Sequence, residues 1–207
     1  MISHKHRCIF VHIPRTGGTS IEDIIWPGAR TETELWMGFV EPMRNRYQTG
    51  GLQHLLARQI RTDVGAETFD AYFKFSVVRN PWDKVISQYS FMRQRPDLRA
   101  YVGLEDDAPL AKYLERIAEV EHVHWMPQVS FIQDTEGLEI VDFIGRFEAL
   151  GPEMRKVLAR IDINCALLPH MKASEREREY RCYFNTETRL AVARMYAADI
   201  EHFGYIF

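Results

Sequence analysis

At 207 residues, 46% hydrophobic and 27% charged, the chain is long enough to bury one sizeable core and too short for two full-sized domains with a linker, so a single domain over 1–207 is expected. A formal net charge of -3 and a pI of about 6.2 exclude a globally basic nucleic-acid coat and leave room for a local anion-binding cleft. Three widely spaced cysteines, Cys8, Cys165 and Cys182, without a C-x-x-C pair exclude a disulfide framework and a zinc knuckle and fit a reducing compartment.

In chain order, residues 8–13 form a short, mostly apolar β-prone run ended by Pro14, and Gly17-Gly18-Thr19-Ser20 then opens a helical pattern through Ile21, Ile24 and Ile25. Residues 27–50, with Pro27-Gly28, Pro42 and Gly50-Gly51 and no clean period, read as an irregular excursion bordering a substrate site. Helices are expected over 53–63 and 66–72, then a buried strand over 72–78. Asn80 can cap, Pro81 suits a first helical position and Asp83 favours the dipole, so a helix should run from there through Met92 toward Pro96. Further on, 108–121 reads as helix. Val129–Ile132 and Ile140–Phe147 read as strands around the turn Asp134–Gly137, followed by helices over 152–161 and 186–203. Alternating strands and helices predict an α/β layered fold with a largely parallel sheet.

Two strand-loop-helix units place anion-binding residue types where the strands end, which is where open α/β sheets hold ligands. In the first, His12 to Ser20 supplies glycines that admit backbone N–H groups close to a phosphate, a helix N-terminus and two hydroxyls. It is not the triphosphatase loop, which needs Gly where His12 stands and Lys where Gly18 stands. An ordinary tight turn explains the same glycines. In the second unit, Arg79 ends the strand and Ser87 lies eight residues later, so both can reach one further phosphate; each alone also reads as a surface ion pair or a plain helix hydroxyl. The basic residues are 20 Arg and 6 Lys, which suits bidentate oxyanion recognition and equally suits codon bias.

The segments Phe10-Val-His-Ile-Pro-Arg-Thr-Gly-Gly-Thr-Ser20 and Phe75-Ser-Val-Val-Arg-Asn-Pro-Trp-Asp-Lys-Val-Ile-Ser-Gln-Tyr89 resemble the 5′-phosphosulfate and 3′-phosphate motifs of the sulfotransferases. The resemblance is nearest to the heparan and chondroitin sulfate O-sulfotransferases and their short bacterial relatives. His124-Trp-Met-Pro127-Gln128, Val141 to Glu148 and Tyr196 to Tyr205 resemble them too. This implies a P-loop-like three-layer α/β fold and a donor, 3′-phosphoadenosine 5′-phosphosulfate (PAPS), giving PAP as product, with no metal. By similarity, Thr16, Gly17, Gly18, Thr19 and Ser20 hold the 5′-phosphosulfate, and Arg79 and Ser87 hold the 3′-phosphate. Arg15 stands where the family pattern usually has Lys and takes the leaving-group role, without a lysine's ability to give up its proton.

An acceptor hydroxyl needs a base, and His54, opening a helix between the two motifs, resembles the family's catalytic histidine in location. A helix-capping histidine is the alternative. His12 reads as a strand residue beside the loop, His124 as structural or acceptor-side, and His122-x-His124 as a weak metal pattern. Trp82 reads as core, while Lys172 and Ser174 read as a solvated stretch that can also close over the nucleotide. The run Glu175–Glu179 is a solvated face. The expected partner is a small-molecule or carbohydrate acceptor, with neither nucleic acid nor membrane involved; Trp36, Met37, Phe39 and Arg44 suit stacking on a sugar or gripping an anionic acceptor, and ordinary loop packing explains them equally well. No apolar run approaches a membrane span, and no secretory core follows the basic start, so a soluble cytoplasmic protein is expected. A bisphosphate-binding relative without catalysis and a small-molecule kinase with a variant phosphate loop remain the alternatives.

Overall fold

The computed structural model describes residues 1–39, 44–47, 50–164 and 179–207. Cys165, Lys172, Ser174 and most of the 175–179 charge run lie outside them, as do parts of the 27–50 excursion. Four strands and ten helices occur among the described residues, in the order β1 (Ile2–Ser3), β2 (Cys8–Val11), α1 (Gly18–Ile25), α2 (Ala57–Val64), α3 (Ala66–Ala71), β3 (Phe73–Val78), α4 (Pro81–Arg93), α5 (Pro96–Val102), α6 (Leu110–Glu119), α7 (Val129–Ile132), β4 (Phe143–Arg146), α8 (Leu150–Arg160), α9 (Thr186–Met195) and α10 (Ala197–Phe203). The chain divides into two compact units, Met1–Val78 with Gln128–Met171, and Arg79–Pro127 with Lys172–Phe207.

The first unit is mixed α/β. Its sheet has the order β1-β2-β3-β4, with β1 antiparallel to β2 and the other three strands parallel. The largely parallel sheet is therefore present, with an antiparallel edge strand that the sequence pattern did not reveal. Residues of one phase, Cys8, Phe10, Phe75 and Val77, pack with Ile21 and Ile25 of α1 and Met154, Val157 and Leu158 of α8. Those of the other phase, Ile9, Val11, Ser76 and Val78, are buried as well. Strands covered on both faces read as continuous apolar runs, which is why 8–11 and 73–78 carry no alternation. Burial pushes the Cys8 thiol up to about 12, so it behaves as a small core residue.

The second unit is helical among its described residues. Asn80 caps α4 as expected, its side-chain oxygen accepting from Trp82 N at 3.1 Å, with Pro81 in the first turn. The same side chain donates to the Ile206 carbonyl at 2.9 Å, fastening the chain's last residues to the start of α4. Trp82 is core, its Nε1 donating to the Arg189 carbonyl at 3.0 Å. Asn80→Ala should cost about 1–3 kcal/mol, one cap and one partly buried hydrogen bond, and Asn80→Asp, which keeps the cap acceptor, should cost less. Thermal unfolding of both variants checks this, and an Asn80→Ala protein that melts like wild type would contradict it.

Among the described residues, several expected elements differ. Val129–Ile132 is a helical turn, not a strand, and its carbonyl ends are met by Arg58 from α2, which donates to Ser130 O at 3.2 Å and Gln133 O at 3.5 Å. The strand expected over 140–147 shrinks to β4, although the intervening turn is present, with Gly137 at φ 84° and Asp134 Oδ1 accepting from Glu136 N and Leu138 N. The helix expected over 186–203 breaks at Tyr196, whose buried hydroxyl donates to the Trp125 carbonyl at 2.9 Å. Pro96, expected to mark a helix end, also begins the next helix.

Candidate active site

Two sets of predicted residues are each assembled within one unit. In the first unit, the loop from His12 to Gly17 joins parallel strand β2 to α1. Its backbone is tightly constrained. Arg15 adopts φ 68°, a left-handed conformation that costs a non-glycine residue energy, and Gly17 adopts φ 89°. A Cβ at Gly17 would come within 2.9 Å of Leu150, and a Cβ at Gly18 within 1.9 Å of His12 Nε2, so both positions require glycine. Thr16 is buried and its hydroxyl donates to the Ile13 carbonyl at 2.8 Å, which commits that hydroxyl to the loop's own turn. Ser20 is buried in the first turn of α1, while Thr19 is exposed. Such a strand-to-helix loop, with glycines where the helix starts, is suited to receive an anion.

His54 joins this loop. It ends a 3-10 turn, Leu52–His54, just before α2, where the sequence pattern predicted one continuous helix from 53. Its Nδ1 lies 3.1 Å from the His12 carbonyl oxygen, and the two rings meet edge-on with centroids 4.5 Å apart. The excursion before it is tied to the same turn: Leu52 N donates to Met37 O at 2.8 Å, and Met37 N donates to Gln53 Oε1 at 2.9 Å. Leu35, Met37 and Gly38 there have φ between 52° and 60°, and Met37 and Phe39 are exposed.

Behind the loop lies a chain of polar contacts, buried at His12 and Glu22 and half-buried at Asp23 and Arg30, that the sequence did not single out. His12 Nδ1 is 2.7 Å from Glu22 Oε1, Glu22 Oε2 is 3.2 Å from an Arg30 amino group, and Arg30 also pairs with Asp23. Burial by itself would raise the Glu22 carboxyl, but His12, Arg30 and the Trp36 side chain together hold it below the usual carboxylate range. A depressed folded value means the stabilisation is complete above the ordinary value of 4.5 and is lost as the pH falls through the folded value. Glu22→Gln should therefore flatten the acid limb of the stability curve below about pH 4.5. An acid-unfolding midpoint identical to wild type would contradict this.

In the second unit, Arg79 and Ser87 are both buried. Arg79 follows β3 instead of ending it, and its Nε donates to Asp83 Oδ2 at 2.7 Å. Asp83 and Ser87 are four residues apart on α4 and so share a helix face, which puts Arg79, Asp83 and Ser87 in one row. The sequence pattern placed Asp83 only as a dipole partner; its role in orienting the guanidinium comes from the structure. Lys84, also buried, donates to His124 O at 3.2 Å, and Gln88 Oε1 lies 3.2 Å from His124 Nδ1, so His124 is held as part of this unit's framework. Among the described residues, no cluster of three or more His, Cys, Asp or Glu is arranged to hold a metal ion, and no helix is long and apolar enough to cross a membrane.

A family model described as "Sulfotransferase family" matches residues 1–206. An uncharacterised protein of Archaeoglobus fulgidus is 32% identical over 112 residues, spanning 52% of this chain and 82% of that protein. No solved structure matches the chain.

Proposed function

Because the chain belongs to the sulfotransferase family, and therefore to the enzymes that transfer a sulfuryl group, we propose that it takes that group from PAPS and passes it to an acceptor hydroxyl on a carbohydrate, releasing PAP. The observation that carries this reading is the loop between β2 and α1, with His54 hydrogen-bonded to it through the His12 carbonyl. Residues Thr16 to Ser20 hold the 5′-phosphosulfate at the start of α1, and Arg79 and Ser87 hold the 3′-phosphate. The whole of 1–207 acts as one sulfotransferase domain of P-loop-like three-layer type, soluble and cytoplasmic.

In the reaction, His54 takes the proton from the acceptor hydroxyl as its oxygen forms a bond to sulfur. The bond between sulfur and the bridging oxygen breaks, and the leaving phosphate carries away the electron pair as PAP. Sulfuryl transfer of this loose, in-line kind asks the protein chiefly to align two oxygens and to neutralise the charge that develops on the leaving one. Arg15 and the N–H groups at the start of α1 do the latter. No proton need come from Arg15, whose guanidinium stays charged. Met37, tied to the turn that carries His54, and Phe39, two residues further on, are exposed apolar side chains that can receive the acceptor.

Thermal protection by PAP with none by ATP supports this reading over a kinase, since a ligand that binds only the folded state raises its apparent stability. Transfer of radiolabelled sulfur from PAPS across a panel of phenol and oligosaccharide acceptors then separates an enzyme from a relative that merely holds the bisphosphate. That second reading is motivated by Arg15 in place of the usual Lys. Protection by ATP in place of PAP would overturn the assignment.

A further inference from the structure

We propose that His12 is a positioning residue for His54, holding it in a single tautomer and coupling it to the phosphate loop; this rests on His54 being the base of the transfer. A carbonyl oxygen can only accept, so the imidazole nitrogen 3.1 Å from the His12 carbonyl carries a proton: His54 Nδ1 donates to His12 O. A neutral imidazole has one N–H, which leaves the lone pair on Nε2 and makes that atom the one able to take the acceptor's proton.

The carbonyl is as well fixed as the ring that shares its residue. The His12 ring stacks on Phe10 at 5.2 Å with planes 12° apart and meets His54 edge-on at 4.5 Å. Its Nδ1 is 2.7 Å from Glu22 on α1, and its Nε2 fills the space a side chain at position 18 would need. Glu22 is anchored in turn by Arg30, which also pairs with Asp23, donates to Trp26 O at 3.2 Å and lies 5.8 Å from the centre of the Trp36 ring. Rotating the His12 carbonyl away from His54 therefore means disturbing the buried His12–Glu22 contact and the first turn of α1. One residue thus supports both the loop that receives the donor and the base that meets the acceptor.

The test is nitrogen-15 NMR of the imidazole rings in the full chain at about pH 8.5, above the ordinary histidine value of about 6.5. Wild-type His54 is expected to be protonated on Nδ1 with a lone pair on Nε2. His12→Ala should give a mixture of tautomers, and His12→Asn, whose amide can replace the Nδ1 donor toward Glu22, should restore the single form. A wild-type His54 protonated on Nε2, an alanine variant with the wild-type pattern, or an asparagine variant that behaves like alanine would each overturn the proposal. Should the alanine variant not fold, the wild-type and asparagine spectra decide alone. Failure of the donor assignment shows separately, as absence of PAP binding by wild type.

Discussion

Replacing His54 with alanine is expected to lower the rate of sulfuryl transfer by about 10²- to 10⁴-fold, the usual contribution of a positioned general base, while PAP affinity stays within about threefold of wild type. The separation of effects follows from where His54 sits. It meets the phosphate loop at the His12 carbonyl and the His12 ring, whereas the loop's backbone is fixed by its own turn and by the close packing at Gly17 and Gly18, so the loop keeps its backbone when the imidazole is removed. Single-turnover transfer of labelled sulfur, with PAP binding measured on the same preparation, checks both halves. An alanine variant that transfers at the wild-type rate would move the base elsewhere, with His124 the next residue to test.

Arg15→Ala is expected to lower the chemical rate by roughly 10²-fold or more, the scale of one lost donor to a developing oxyanion. The structure adds a reason to expect a specific effect. Arg15 holds a left-handed backbone conformation at φ 68°, and strain of this kind, of order 1–3 kcal/mol, persists where the surroundings impose it. Alanine has the same backbone restriction, so the substitution removes the guanidinium without relieving the strain. Arg15→Lys should recover part of the rate by restoring a cation, though not the fork that can hold two oxygens. Weakened donor binding with an undiminished turnover rate would show that Arg15 serves affinity alone.

The two strand-loop-helix units proposed to hold the donor were legible because their geometry is local. Gly17 and Gly18 announce a turn into a helix, and Asn80, Pro81 and Asp83 announce a capped one; both occur where expected. What escaped depends on partners far away in the chain. Val129 to Ile132 has strand-like composition, yet Arg58 accepts the role of satisfying its carbonyls as a helical turn, a contact across 72 residues. Tyr196 interrupts an otherwise continuous helical pattern because its hydroxyl is spoken for by Trp125, 71 residues earlier. Glu22 carries no mark in the sequence that sets it apart, and only the fold reveals that its carboxylate faces His12. Its spacing from His12, ten positions across a strand end and a helix start, has no periodic signature.

The most direct measurement is isothermal calorimetry of the full chain with PAP. One site per chain is expected, weakened about tenfold or more both by Gly18→Ala, which forces His12 and the loop apart, and by Arg79→Lys, which keeps a cation but loses the guanidinium fork. Absence of binding by wild type, or binding that neither substitution weakens, would contradict the assignment of a single adenylate donor to these two sets of residues.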